Sequence, residues 1–228
     1  MEKAFHRHQK EHEGKLGLMK LLPHDLIKVM NVGDFCASRN LPLSAEAYLK
    51  ETPYVVVRRG LPAEEEQITV GIRGEKRSER WAAELSEDNV ENVYTPGDVL
   101  RIILSAEIEG ISAVFRQALK DIAESSLFPD NVGPGGSVAF TAVSGKRATH
   151  KASDLDLIIR YEAKLPEYGL MEQQLAFLEK LPLDCDAVIQ TDHSIFSLKE
   201  AVKSPGNFLL KKPDGSVALT SLADLRGK

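Results

Sequence analysis

Short β-branched runs in the first half of the chain predict a hairpin of two strands. The run YVVVRRG ends at Gly60, and the run ITVGIRG extends from Ile68 to Gly74. Both are bounded by residues that interrupt strands, and the polar stretch LPAEEEQ lies between them. This arrangement favours an antiparallel pair joined by a polar loop.

Helical patterns flank this hairpin on both sides. The stretch SAEAYLKET predicts a helix with Ser44 as its N-cap and Pro53 at its end. The stretch EKRSERWAAEL, directly after Gly74, also predicts a helix, with several basic side chains on it. The first half therefore has the pattern of a small α+β unit.

The second half begins with apolar residues at helical spacing and continues with alternating helices and strands. A long helix is predicted from Pro96 to Leu119, although Gly110 weakens its middle. A short helix over VAFTAVSG ends at Gly145 as a C-cap, and two to four strands follow among further helices. The predicted strands and helices are SDLDLIIRY, GLMEQQLAFLEKL, DAVIQTD, SIFSLKEAVKS and the hairpin FLLKKPDGSVALTS.

Turn residues near position 95 predict the boundary between two domains. We expect a polar tail over residues 1–18, an N-terminal α+β domain over 19–95 and a catalytic domain over 96–228. His6, His8 and His12 in the tail could share a helix face, but no acidic or cysteine partners accompany them as metal ligands.

Composition restricts the class of protein. The 228 residues are 43% hydrophobic and 28% charged, which is typical of a globular protein with a real core. The net charge of −5 argues against nucleic-acid binding. Two distant cysteines, an N-terminus without an apolar signal and no run long enough to span a bilayer favour a cytoplasmic protein that does not enter a membrane.

Two aspartates lie on one face of a predicted strand in SDLDLIIR. Asp154 and Asp156 alternate with leucines that point to the opposite face, and their negative charges would repel without a cation between them. A hard divalent cation, Mg²⁺ above all, suits such oxygen ligands. Asp186 opens the next strand and is favoured over Asp184 as a third carboxylate, since it directly precedes the apolar run. Cys185 between them is predicted to be an inert, buried thiol.

A glycine-rich turn precedes the short helix that begins near Ser137. Glycines such as Gly136 let a ligand approach the backbone, and N–H groups at a helix start attract phosphate. Neither this turn nor an Asp-x-Asp pair is specific alone. Their order along the chain is more informative.

Together these motifs resemble the nucleotidyltransferase superfamily, in which Gly-Ser starts a short helix and Asp-x-Asp lies on a strand beside a third carboxylate. The sixteen residues between Ser137 and Asp154 match one branch. That branch is the holo-acyl carrier protein synthases of malonate decarboxylase, which are phosphoribosyl-dephospho-CoA transferases. The order of LPHDLI, PYVVVRRG, ITVGIRGEKRSERWA, YTP, GSVAFTAVSG, SDLDLIIR, DAVIQTDHSIFSLKEA and FLLKKPDG agrees with it.

The sequence departs from this branch between the two motifs. Phe140-Thr141 stands where an aromatic-Gln pair is usual, and a tyrosine usual before the Asp-x-Asp strand is absent near Ala148. The carboxylates are retained. These departures therefore concern the fit of the substrate more than the reaction.

The resemblance implies an α/β (α+β) fold, with a nucleotidyltransferase-like mixed sheet flanked by helices and a smaller N-terminal α+β domain. It implies transfer of the prosthetic group from triphosphoribosyl-dephospho-CoA to a serine of the apo acyl carrier protein of malonate decarboxylase, with release of pyrophosphate. Asp154 and Asp156 would hold Mg²⁺, and Asp186 would bind a second ion or accept the serine proton. Gly136 and Ser137 would hold the terminal phosphates.

Basic residues are the remaining candidates for binding the substrates. Arg73, Arg77 and Arg80 could bind the CoA phosphates or an acidic carrier protein. Lys146 and Arg147 lie near enough in sequence to reach the triphosphate.

Two other functions remain open from the sequence. One is a nucleotidyltransferase that uses ATP or another nucleotide on a small molecule or protein. The other is a non-catalytic nucleotide-binding or antitoxin-like module, against which the three intact aspartates argue.

Overall fold

The structure, a computed structural model, describes residues 20–37, 41–76, 78–150, 152–162 and 164–226. The side chains of Cys36 and Ala37 are not part of this description. The predicted polar tail with its three histidines, and Arg77 among the candidate binding residues, lie outside the described residues.

The first half forms a five-stranded antiparallel sheet in the order β4-β3-β2-β1-β5. Helices α1 and α2 cover one face, where Phe35, Ala45 and Leu49 pack with Ile27 and Val55 in a hydrophobic core. The predicted hairpin is confirmed as β2 and β3. The elements are β1 (Leu26–Val29), α1 (Val32–Ala37), α2 (Leu43–Glu51), β2 (Tyr54–Val57), β3 (Gln67–Arg73), β4 (Arg80–Ser86), a 3₁₀ turn (Glu87–Asn89) and β5 (Val90–Tyr94).

The second half forms a six-stranded mixed sheet in the order β11-β10-β9-β8-β7-β6. Strands β7 and β8 are parallel, and the other neighbours are antiparallel. The elements are α3 (Pro96–Ser105), α4 (Ala113–Glu124), β6 (Val132–Pro134), α5 (Gly136–Ser144), β7 (Leu155–Arg160), α6 (Tyr168–Leu178), β8 (Cys185–Gln190), β9 (Ile195–Ser197), α7 (Leu198–Lys203), β10 (Phe208–Lys211), β11 (Val217–Thr220) and α8 (Leu222–Arg226).

The mixed α+β class with helices beside the sheets is confirmed. More strands form than the predicted two to four, because the short β6 and β9 carry too few residues to show alternation. The division into domains stays a prediction. The larger core joins Leu26 and Tyr48 of the first half to residues of the second, so the two sheets share packing.

The predicted helix over EKRSERWAAEL is wrong. Residues Arg80–Ser86 form β4, which pairs with β3 along its whole length from Arg73↔Arg80 to Gln67↔Ser86. Glu, Arg, Ala and Leu favour helices locally, but burial of Leu85 and a full ladder of hydrogen bonds with β3 outweigh that preference.

The single long helix predicted from Pro96 to Leu119 is also wrong, because it is two helices. Helix α3 ends at Ser105, and Gly110 adopts a left-handed φ of +88° in the connection. Helix α4 restarts at Ser112, whose hydroxyl accepts the Phe115 N–H at 3.3 Å. A capping serine two residues after a left-handed glycine is thus a stronger signal than the continuing apolar period.

The two helix caps predicted elsewhere have different outcomes. Helix α2 begins after Pro42 rather than at Ser44, and it makes no side-chain cap bond. Gly145 does cap α5, with a left-handed φ of +69° and its N–H donated to the Thr141 carbonyl.

Candidate functional site

The glycine-rich turn and the Asp-x-Asp strand meet at the start of α5. The Gly135 N–H donates to the Asp156 carbonyl at 2.8 Å. Gly136 has a left-handed φ of +53°, and a Cβ built on it would overlap the Asp156 carboxylate. Only glycine suits both the backbone angle and the space. The structure therefore brings Gly136, Ser137 of the same helical turn and Asp156 together.

The neighbouring strand brings a second carboxylate to the same face. Asp156 on β7 and Asp186 on β8 are register partners in parallel strands, so their side chains leave the sheet on one side. Asp186 is exposed, whereas Asp154 and Asp156 are half-buried. Asp184, the alternative to Asp186, supplies its carbonyl to the Leu155 N–H at 2.9 Å and precedes β8.

The thiol of Cys185 lies near these carboxylates. Burial, followed by the charges of Asp186, Asp156 and Asp154, raises the pKa of its thiol from 9.0 to about 12. The side chain packs against the larger core. The thiol is thus neutral and partly buried, in agreement with the predicted inert cysteine, and all three carboxylates act on one point.

Asp154 and Asp156 are the residues here that could hold a hard divalent cation. Across the described ranges, no three His, Cys, Asp or Glu side chains form a ready-made metal site. Mg²⁺ commonly uses one or two carboxylates and takes its other ligands from water and substrate phosphates. Hard oxygen donors beside a glycine turn open to a ligand supply what such an ion requires.

Arg73 and Arg80 lie together across the first sheet. They are register partners on β3 and β4. The Arg73 guanidinium lies 5.5 Å from the Phe140 ring centre and donates to the Ala148 carbonyl at 3.3 Å. Arg80 donates to the Glu79 carbonyl at 2.8 Å and is exposed. Arg73 thereby connects the first sheet to α5 and the loop after it.

Lys146 and Arg147 take other directions. Lys146 pairs with Glu51 at 3.1 Å, and its ammonium lies 4.5 Å from the Tyr48 ring centre. The Arg147 side chain covers Gly110, where an added Cβ would meet its Cγ at 3.1 Å. These contacts direct the two side chains toward α2 and toward the α3–α4 connection.

The residues of the unusual spacer hold the loop after α5 in place. The Thr141 hydroxyl donates to the Ser137 carbonyl at 2.8 Å and accepts the Ala148 N–H at 2.9 Å. Phe140 is buried beneath Arg73. Thus Thr141 and Ala148, where the sequence departs from the pattern, act on the backbone beside the glycine turn.

A cavity of about 420 Å³ lies between the first sheet and α5. We call it the arginine cleft. Arg73 and Arg80 were candidates from the sequence, whereas His24 and Arg58 come from two motifs, LPHDLI and YVVVRRG, that reasoning from the sequence had not linked to the site. The cleft is defined by His24, Arg58, Arg73, Arg80, Gly136 and Phe140.

A buried polar network fixes one end of the cleft. Asp25 Oδ1 lies 3.0 Å from Arg160 Nη2, and both side chains are almost fully buried. Arg160 also donates to Gln190 Oε1 at 3.2 Å, and Gln190 Nε2 donates to the Pro23 carbonyl at 3.0 Å. The network joins the loop before β1 to the ends of β7 and β8, and so positions the adjacent His24.

His24 is held in an unusual conformation beside this network. Its φ is +79°, and its N–H donates to the Val57 carbonyl at 3.0 Å. Burial, then the positive charges of Arg160, Lys211 and Arg59, lowers its pKa from 6.5 to about 4. Burial likewise raises the pKa of Asp25, and the nearby Arg160 opposes that rise. His24 is therefore a neutral imidazole at pH 7.

Over the described part of the chain, the helices are too short or too polar to cross a bilayer.

Two family models match the chain. The phosphoribosyl-dephospho-CoA transferase MdcG N-terminal domain matches residues 22–96, and the corresponding C-terminal domain matches residues 103–222. Proteins named phosphoribosyl-dephospho-CoA transferase are also similar. The one from Pseudomonas fluorescens is 31% identical over 86% of this chain and 90% of its own length. The one from Klebsiella pneumoniae is 30% identical over 85% and 92%. No solved structure matches the chain.

Proposed function

The chain belongs to the family of MdcG phosphoribosyl-dephospho-CoA transferases, and from this premise we propose its reaction. The protein transfers the phosphoribosyl-dephospho-CoA group from triphosphoribosyl-dephospho-CoA to a serine of the apo acyl carrier protein of malonate decarboxylase. The serine oxygen forms a phosphodiester with the phosphorus next to the ribose. The bond from that phosphorus to pyrophosphate breaks, and pyrophosphate leaves.

The contact between Gly136 and Asp156 carries this proposal. It places a backbone turn that is open to phosphate against a carboxylate that can hold a cation. Phosphoryl-type transfer depends mainly on positioning the phosphates and neutralising their charge. A glycine turn, a carboxylate cluster and an arginine-lined cavity in contact with one another are suited to both tasks.

Asp154 and Asp156 are the residues that we assign to Mg²⁺. When bound, the ion neutralises the charge that develops on the transferred phosphate and on the leaving pyrophosphate. Gly136 and Ser137 bind the terminal phosphates through their N–H groups and the serine hydroxyl. Their position at the first turn of α5 directs the backbone donors at an incoming anion.

Asp186 is the residue that we assign to the serine proton. It is exposed, whereas its register partner Asp156 is half-buried, so a serine carried by another protein reaches Asp186 more readily. A carboxylate within hydrogen-bond reach of the attacking hydroxyl can accept its proton as the new bond forms.

The partners follow from the same proposal. They are triphosphoribosyl-dephospho-CoA and an acyl carrier protein, and nucleic acid is not one of them, since the net charge of −5 disfavours it. The two distant cysteines support a reducing compartment, and we place the reaction in the cytoplasm.

The test is conversion of a purified apo carrier protein. With Mg²⁺ and triphosphoribosyl-dephospho-CoA, we expect the intact mass of the carrier to rise by one phosphoribosyl-dephospho-CoA group, with one pyrophosphate released per carrier. A panel of nucleoside triphosphates serves as the comparison. A carrier of unchanged mass, or a product formed only from a nucleoside triphosphate, would show that the protein catalyses a different transfer.

A further inference from the structure

The floor of the arginine cleft is one row of register partners that crosses four strands. Leu26 pairs with Val56, Val56 with Gly71, and Gly71 with Ala82. Paired residues on antiparallel strands share a face, so all four point away from α1 and α2 and into the cleft. The row is apolar, and Gly71 and Ala82 carry little or no side chain.

Arginines stand on both sides of this floor. Arg58 follows Val56 by two residues along β2, whereas Arg73 follows Gly71 by two residues along the antiparallel β3. Their Cα atoms therefore lie on opposite sides of the row, separated by four residues or about 13 Å along the strands. The Arg58 side chain extends back over the row toward Gly71. Arg80 joins Arg73 at its end, and His24 joins Arg58 at the other.

Gly71 makes room for Arg58 to lie across the sheet. A Cβ at Gly71 would meet Arg58 Cδ at 3.0 Å and Val56 Cγ1 at 3.2 Å. The aliphatic part of Arg58 thus covers the backbone of β3. A glycine inside a strand weakens it, and its presence here admits another group close to the backbone.

The cleft continues into the reaction site through Gly136. This residue lines the cleft and also contacts the Asp156 carboxylate. Phe140, one turn further along α5, supports the Arg73 guanidinium. Among the described lining residues none is acidic, so the cleft is positive where the carboxylate site beside it is negative.

We propose that the arginine cleft binds the dephospho-CoA part of the donor, with adenosine on the apolar floor and phosphates at both arginine ends. This proposal rests on the proposed function and assigns the N-terminal sheet to the donor. Dephospho-CoA carries a diphosphate on one side of its adenosine, and the donor carries a triphosphoribosyl group on the other. An apolar floor with an arginine entering from each side matches that order of groups.

A carrier protein does not suit the cleft. Protein partners usually bury about 800 Å² of each surface on a broad face, whereas small ligands occupy cavities of some hundreds of cubic ångströms. At about 420 Å³ and roofed by α5, the cleft is of the second kind. The carrier has only to bring its serine to Asp186, which is exposed.

The experiment is calorimetric titration of the full-length protein with dephospho-CoA, which lacks the reactive triphosphate. Arg58→Gln removes one end of the cleft, and Gly71→Val fills its floor. Arg59→Gln is the matched control, because the Arg59 side chain donates to the Gly215 carbonyl at 3.4 Å and does not line the cleft. We expect Arg58→Gln and Gly71→Val each to weaken binding about tenfold or more and Arg59→Gln to change it less than twofold.

Steady-state kinetics with the complete donor separates this proposal from the reaction itself. We expect the donor KM to rise in Arg58→Gln and the carrier KM to stay unchanged. If both variants bind dephospho-CoA as tightly as the wild type does, the cleft assignment is overturned. Carrier modification by the wild type still upholds the proposed function in that case. A higher carrier KM with an unchanged donor KM also overturns it and makes the cleft a docking site for the carrier. Weakened dephospho-CoA binding in a protein that modifies no carrier upholds the cleft and overturns the reaction.

Discussion

Gly136 Cα lies so close to the Asp156 carboxylate that no side chain fits between them. This single contact joins the start of α5 to the second residue of β7, although nineteen residues separate the two along the chain.

We expect Gly136→Ala to abolish most carrier modification, by at least about a hundredfold, because the new Cβ displaces the Asp156 carboxylate. Gly145→Ala is the matched control, since Gly145 also has a positive φ at an end of α5 but has no atom within 4 Å of an added Cβ. Both variants should lose about 1 kcal/mol of unfolding free energy from backbone strain. Equal activity in the two would contradict the importance of the contact.

The register of β7 and β8 predicts different roles for two neighbouring aspartates. Asp186→Asn should lower the rate of transfer by about a hundredfold or more, because it removes the carboxylate beside Asp156. Asp184→Asn should keep nearly the full rate, since its carbonyl serves the Leu155 N–H whatever its side chain. The rate of pyrophosphate release measures both. A larger loss in Asp184→Asn would reverse the assignment.

The buried ion pair predicts a large effect on stability. Arg160→Gln leaves Asp25 buried without its cation, and we expect the free energy of unfolding to fall by about 3 kcal/mol or more. Lys203→Gln removes an exposed partner of Glu179, a pair separated by 2.9 Å, and should change the free energy of unfolding far less, because water and salt screen such a surface pair. Urea titration followed by circular dichroism compares them. Similar losses would mean that the Asp25–Arg160 pair stabilises no more than a surface pair.

His24 predicts how stability depends on pH. Its pKa is about 4 in the folded protein and 6.5 in the unfolded chain, so below pH 6.5 the unfolded chain binds the extra proton. Above pH 6.5, His24 is neutral in both states and does not lower the free energy of unfolding. As the pH falls toward 4, the free energy of unfolding decreases, by about 2 kcal/mol at pH 5.

His24→Asn removes this pH dependence and keeps a residue that tolerates a positive φ. Urea titrations of both proteins at pH 7.5 and 5.0 provide the test. The fall in stability between the two pH values should be about 2 kcal/mol smaller in His24→Asn. A fall of equal size in both would show that His24 titrates normally.

The motifs of the site could be found in the sequence, but the strand pairings that bring the remaining residues to the site could not. The resemblance implied that the Gly-Ser turn and the Asp-x-Asp strand share one site, whereas strand periodicity alone predicts only the shared face of Asp154 and Asp156. Arg80 was expected on a helix and is instead the register partner of Arg73 on the adjacent strand. The register of β2, β3 and β4 decides which residues form the floor of the cleft, and no local pattern encodes that register.

The same limit explains the two residues that sequence reasoning did not assign to the site. His24 and Arg58 belong to motifs far from the aspartates, and only the packing of α5 against the first sheet brings them near Gly136. Conversely, Lys146 and Arg147 are close to the aspartates in sequence, but the Lys146 side chain pairs with Glu51 and the Arg147 side chain packs over Gly110.

The Asp25–Arg160 pair has a consequence for exchanging parts between relatives. Asp25 lies before residue 95 and Arg160 lies after it. A fragment that ends at that boundary therefore keeps the carboxylate of Asp25 without its cationic partner. A chimaera built from the halves of two homologues would fold well only if both parents carry this acid and this base at matching places. The pair therefore couples the two halves of the chain, and a graft that breaks it should lose stability even when each half comes from an active parent.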